Sequence, residues 1–222
     1  MLCEINDDKP REECGVFGIY SKSDKDVSSL IYLGIHSLQH RGQESAGIAM
    51  SQEDKINVHK DTGLVDSVFD ESILKDLNGK AGIGHVRYST TGSSKLVNAQ
   101  PLLINSSRGS LALAHNGNLV NGLDLRLFLE KNGSIFHSTL DTEVIAHLVA
   151  RSFKDNIIEA LTHSLQQLKG AFSIVAMTED SLVAARDPQG FRPLSLGKLD
   201  NDYVVASETC ALDIIGAEFV RD

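Results

Sequence analysis

The sequence predicts an α+β fold: two antiparallel sheets with helices packed on their outer faces. Three observations carry this. Strand-like segments come first, a block of helical segments follows, and strands return at the end. The returning strands are short and spaced like hairpins, which implies antiparallel pairing. A regular βαβ alternation is missing, which argues against a doubly wound parallel sheet.

Each element has its own signature. Residues 15–20 (GVFGIY) form an apolar run of strand length. Val27, Leu30, Ile31, Ile35 and Leu38 recur at helical spacing, which predicts a helix over 27–40. Residues 46–50, 56–60 and 81–88 read as strands. The stretch 89–100 is small, polar and aperiodic, a loop of the length usually tied to function. A strand over 111–115 is expected to break at Asn116-Gly117. Helices follow near 122–131 (Leu125, Phe128 and Leu129 inward), 142–151 (Val144, Ile145 and Leu148 inward) and 155–168 (Ile157, Ile158, Leu161, Leu165 and Leu168 on one stripe). Short strands are expected at 172–178, 182–186, 194–197 and 203–207.

With 222 residues and four prolines, no repeat and no long linker, the chain reads as one compact domain, 14–222, behind a polar leader, 1–13. A chain this long buries about 70% of its unfolded surface and needs no staples. Its 41% apolar and 23% charged residues are ordinary for a globular protein. The net charge of −9, with no basic cluster, argues against nucleic acid and anionic membranes as partners. No apolar run approaches the roughly 18 residues of a membrane span. The acidic N-terminus lacks the apolar core of a secretory signal. Cys3, Cys14 and Cys210 are an odd set without framework spacing, so a cytoplasmic protein with reduced thiols is expected. Cys3 and Cys210 read as packing residues.

Several residues carry candidate chemistry. Cys14 stands directly before the first strand, followed by glycine. A cut before it would place a thiol and a free α-amine, nucleophile and base, on one residue. Alternation puts Ile83, His85 and Arg87 on one strand face. Arg87 then either captures a carboxylate bidentately or makes a surface salt bridge. Asn116-Gly117 is either a tight turn or an oxyanion hole built from a side-chain amide and a main-chain N–H. Asp141 is either a helix N-cap or a holder of an ammonium group. His36 and His40, four apart, read as polar-face or capping histidines, because no Glu or Cys nearby completes a metal motif. Asp187-Pro188-Gln189-Gly190 reads as a turn. No phosphate-binding glycine loop or zinc-type cysteine pair is present.

Eight ordered blocks, CGVFGIY, LQHRGQESAGIA, GIGHVRYSTTGSS, NAQPL, LAHNGNLVN, DTEVIAHL, ARDPQGFRPL and VVASETCALDIIGA, span 14–222. Together they resemble the N-terminal glutaminase domain of the amidophosphoribosyltransferase family, class II glutamine amidotransferases that open purine synthesis. The leader resembles the propeptide of its self-processing, Bacillus-like branch. The resemblance implies an N-terminal-nucleophile hydrolase fold, an αββα sandwich. It implies Cys14 as nucleophile, and Asn116 with Gly117 as oxyanion hole. It implies Arg87 on the glutamine α-carboxylate and Asp141 on its α-ammonium. Thr90 falls in the loop that closes over glutamine, and Arg41-Gly42 in the segment lining the nucleophile pocket. Full-length relatives form homo-oligomers and use magnesium and, in the Bacillus-like branch, an iron–sulfur cluster. No cofactor or metal is expected in this segment, and Cys210 is not expected to be a cluster ligand. The phosphoribosyltransferase domain that should follow is not in this sequence. Two alternatives stand beside this one. The chain is an uncleaved, inactive glutamine-binding or assembly module. Or it is the glutaminase domain of another class II enzyme, such as glucosamine-6-phosphate synthase, asparagine synthetase or glutamate synthase.

Overall fold

The computed structural model describes residues 14–23, 25–88 and 95–222. The leader 1–13, Cys3 and Thr90 lie outside the described residues.

The chain opens with β1 (Gly15–Tyr20), α1 (Ser28–Ser37), β2 (Ser45–Gln52), β3 (Lys55–Thr62), α2 (Val65–Val68), α3 (Glu71–Asp76) and β4 (Ala81–Arg87). It crosses to a second sheet with β5 (Leu102–Ser106), β6 (Gly109–Leu119), β7 (Gly170–Met177) and β8 (Leu182–Arg186). Helices α4 (Gly122–Lys131), α5 (Asp141–Arg151) and α6 (Ile157–Leu165) lie between β6 and β7. β9 (Ser195–Leu199), β10 (Asp202–Ala206), α7 (Cys210–Asp213) and β11 (Glu218–Arg221) return to the first sheet. The sheet orders are β11-β9-β10-β1-β4-β2-β3 and β5-β6-β7-β8. Every pairing is antiparallel, as the hairpin spacing predicted.

Side-chain alternation builds three apolar layers. Phe17 and Ile19 of β1 face Ile31 and Ile35 of α1 on the outside of the first sheet. Val16, Ala49 and Ile83 meet Ala112, Ala114, Val175 and Met177 between the sheets. Leu111, Leu113 and Ile174 face Val144, Ile145 and Leu161 on the outside of the second sheet. Burying one such Ile or Leu side chain contributes about 1.5–3 kcal/mol. The result is helix, sheet, sheet, helix. A strand such as β1 is buried on both faces, which explains its unbroken apolar run.

The structure corrects several expectations. The 27–40 helix ends at Ser37 and continues as a 3₁₀ turn, Gln39–Arg41. His40 therefore leaves the helix that carries His36. β6 does not break at Asn116-Gly117: both residues pair with β7, Asn116 with Ser173 and Gly117 with Phe172. Within the 89–100 loop, Leu96–Asn98 forms a 3₁₀ turn, and Asn98 and Gln100 are buried. Phe128 of α4 points outward, 57% exposed, while Leu129 is fully buried. α6 is shorter than expected and is capped by Asn156, whose side chain accepts from Ile158 N–H at 2.8 Å. Asp187 does more than turn the chain. It is buried and accepts from the N–H groups of Phe172, Gln189 and Phe191, fixing the strand that pairs with Gly117. β5, β11, α2, α3 and α7 had no periodic signature strong enough to be read from sequence.

Candidate active site

Cys14 immediately precedes β1. Its Sγ lies 3.5 Å from the Tyr88 carbonyl oxygen. Burial pushes the thiol pKa up, and the positive charges of Arg87 and Arg41 offset this only in part. The resting group is a thiol, so its reaction as a nucleophile requires a base.

A cavity of about 100 Å³ adjoins the thiol, lined among others by Cys14, Arg87, Gly117, Asn118, His115 and Asp141. Four residues singled out in the sequence thus meet from four separate segments. A larger cleft of about 930 Å³ near the β2–β3 turn is lined by neither cysteine nor histidine. His115 is a poor base for Cys14, since burial pushes its pKa down to about 4. His85 is pushed to about 3, again chiefly by burial, and its Nε2 lies 3.2 Å from the His115 carbonyl oxygen.

The main chain of β6 explains what Gly117 offers. Along an antiparallel strand, alternate residues direct their N–H and C=O groups to opposite sides. Phe172, opposite Gly117, turns both its groups toward Asp187. Odd-numbered residues of β6 therefore face away from β7. Leu113 faces β5, which starts at Leu102. His115 N–H donates to Gln100 Oε1 at 2.8 Å. Leu119 N–H donates to Asp141 Oδ2 at 2.9 Å. The group between them in this row is Gly117 N–H, and it faces the cavity. Beside it Asn116 is buried, and its Nδ2 has no hydrogen-bond partner.

Gly117 has φ +146°, and a Cβ there would stand 2.1 Å from the Ala171 carbonyl oxygen. Gly117→Ala is therefore expected to cost about 2–4 kcal/mol through backbone strain and overpacking. Thermal unfolding should show a Tm lower by roughly 5–15 °C.

Arg87 is buried and pairs with Glu44, Nη1 to Oε2, at 3.1 Å. Arg87 thus lines the cavity while its ion-pair partner Glu44 stays half-buried, so the pair is not a fully exposed surface bridge. Asp141 is the first residue of α5, and Leu140 occupies the cap position. Its carboxylate serves Leu119 rather than the helix, so the N-cap expectation is not met. Burial raises the Asp141 pKa, opposed by the Leu119 hydrogen bond and by Arg126. Arg41 does not line the cavity: its Nε donates to the Cys14 carbonyl oxygen at 3.2 Å. Gly42 packs behind the site, where any Cβ would fall 2.7 Å from the backbone of Arg87.

Sequence reasoning missed Glu44, Gln100, Ser207 and Glu208. Gln100 Oε1 accepts from His115 N–H and from Thr142 Oγ1, joining β6 to α5. Its only sequence signal was membership of the NAQPL block. Although no Glu or Cys completes a metal motif around His40 in sequence, the fold brings one of each beside it. His40, Glu208 and Cys210 place ligand-type atoms within 4.8 Å of one another. Glu208 is, however, already engaged by Arg41 and His40, so the cluster is an ion-pair network.

Residues 85–213 match the glutamine amidotransferase domain family, and the chain belongs to that family. Its relatives within it are amidophosphoribosyltransferases, to whose glutaminase part the chain corresponds. It is 49% identical over 223 residues to the amidophosphoribosyltransferase of Bacillus subtilis (strain 168), covering 100% of this chain and 46% of that protein. It is 53% identical over 227 residues to the chloroplastic amidophosphoribosyltransferase 2 of Arabidopsis thaliana, covering 100% and 40%. The solved glutamine phosphoribosylpyrophosphate amidotransferase from B. subtilis, complexed with ADP and GMP, matches with TM-score 0.87 at 49% identity. That match covers 94% of this chain and 45% of that one. The chain therefore spans less than half the length of these relatives. The sandwich is the N-terminal-nucleophile hydrolase fold. Among the described residues, no helix is long and apolar enough to cross a membrane.

Proposed function

We propose that the chain hydrolyses glutamine once Cys14 is the N-terminal residue, and that a phosphoribosyl pyrophosphate-using domain of the longer enzyme consumes the ammonia for purine synthesis. The observation that carries this is the open Gly117 N–H facing the cavity that holds the Cys14 thiol, with the buried, unpartnered amide of Asn116 one residue before it.

The chemistry follows from the groups present. A free α-amine has a pKa of about 7.7–8.0 and takes the thiol proton near neutral pH. An internal peptide nitrogen cannot, because its lone pair is delocalised. The sulfur attacks the glutamine side-chain carbonyl carbon, a C–S bond forms, and the carbonyl pair moves to oxygen. Asn116 Nδ2 and Gly117 N–H donate to that oxyanion. The Cys14 ammonium protonates the departing nitrogen as the C–N bond breaks. Water then adds to the thioester, the C–S bond breaks, and glutamate leaves with the thiol restored. Arg87 holds the α-carboxylate and Asp141 the α-ammonium.

The decisive experiment compares the chain with Glu13 attached against the chain beginning at Cys14, each verified by mass. Glutamate release is expected only from the second. Equal activity in both would end the α-amine mechanism.

Asp141 adds a pH prediction. The carboxylate must be ionised to hold an ammonium group, and its pKa is raised by burial. Glutamine KM should therefore rise as pH falls through that raised pKa. Asp141→Asn should raise KM about 30-fold or more and flatten this dependence. A KM profile unchanged by the substitution would remove Asp141 from the binding site.

A further inference from the structure

A chain terminus frays unless it is tied down. A nucleophile that is the first residue of its chain faces this problem directly. β1 begins only at Gly15, so the sheet does not hold Cys14 itself. The ties come from elsewhere, and two of them originate in one segment just after β10.

Ser207 holds Val16 through both of its main-chain groups. Val16 N–H donates to Ser207 Oγ at 2.9 Å, and Ser207 N–H donates to the Val16 carbonyl oxygen at 2.9 Å. Glu208 reaches one step further. Its Oε1 pairs with Arg41 Nη1, and Arg41 Nε donates to the Cys14 carbonyl oxygen at 3.2 Å. Its Oε2 lies 3.0 Å from His40 Nε2, while His40 Nδ1 lies 3.0 Å from the Ser37 carbonyl oxygen. Partial burial works against the Glu208 charge, but Arg41 and His40 outweigh it and hold the pKa below the usual range. The carboxylate is a fixed anion between two basic side chains.

We propose that Glu208 is a positioning residue for the hydrolysis: it clamps Arg41, and Arg41 grips the Cys14 carbonyl so that the thiol stays aimed at the cavity. Glu208 does not line the cavity; its Oε2 is taken up by His40 and lies 3.7 Å from Cys210 Sγ, and its link to Cys14 runs through Arg41. This inference rests on the glutaminase reading of Cys14.

The test is steady-state glutamate release by the chain beginning at Cys14, with Glu208→Gln, Arg41→Ala and the double variant, plus Arg41→Lys. Glu208→Gln is expected to lower kcat about tenfold, with glutamine KM changed less than twofold and Tm nearly unchanged. The double variant should be no slower than Arg41→Ala alone. Arg41→Lys keeps the charge beside Glu208 but lacks the Nε–H, and should lose kcat comparably. An unchanged kcat in Glu208→Gln, full kcat in Arg41→Lys, or losses that multiply in the double variant would each overturn the proposal. A parent chain without glutaminase activity would instead overturn the reading beneath it. If Glu208→Gln proves unstable, Arg41→Lys still decides.

Discussion

Cys14→Ala, in a chain that begins at residue 14, should reduce glutamate release by on the order of 10⁴-fold or more. The fold should be untouched. Among the described residues the thiol's side-chain hydrogen bond is a 3.5 Å contact to the Tyr88 carbonyl, and the ties to Ser207 and Arg41 run through main-chain atoms that alanine keeps. Binding should survive as well, because Arg87 and Asp141 stand apart from the sulfur on other strands and helices. Calorimetry of glutamine binding beside a glutamate assay separates the two roles. Substantial activity left in the alanine variant would place the nucleophile elsewhere and end the thioester mechanism. The raised thiol pKa adds a second arm. Alkylation of Cys14 should be slow at neutral pH in the chain with Glu13 attached. It should quicken once the α-amine is free to take the proton.

What sequence could show depended on whether the deciding force was local. β1 was legible as an unbroken apolar run buried on both faces, and α5 because a 3.6-fold apolar pattern reports directly on a buried face. Asn116-Gly117 misled for a physical reason. Asn-Gly signals a turn because glycine accepts positive φ, and Gly117 does adopt it, at +146°. Here the distortion occurs inside a strand, held straight by Ser173 and Phe172 across the ladder. A tertiary partner overrode a local preference, and the same glycine became the oxyanion-hole candidate. Asp141 followed a similar course: its carboxylate found Leu119 N–H, 22 residues away, instead of its own helix. Glu208 had no local signal at all. Its partner Arg41 is 167 residues distant, and only closure of the first sheet brings them together. Cys14, Arg87, Gly117 and Asp141 were reached through block resemblance, whereas Glu44, Gln100 and Glu208 required the fold.

Asn116→Ala is the substitution in which stability and rate should move apart. A buried donor left without a partner costs about 1–3 kcal/mol. Asn116 Nδ2 is in that condition, one residue from the open Gly117 N–H. Such a donor can persist in a fold when its partner arrives with the substrate, and on the proposed mechanism that partner is the oxygen that becomes negative during attack. Alanine removes the unsatisfied group at the expense of a small void, so Tm should hold steady or rise slightly. The transition state loses one of two donors, so kcat should fall about 10²–10³-fold, equivalent to about 3–4 kcal/mol. Glutamine KM should change little, because the neutral amide oxygen of the ground state gains far less from the donor than the oxyanion does. The opposite pattern, a falling Tm with kcat within threefold of the parent, would assign Asn116 to packing and leave Gly117 as the lone donor.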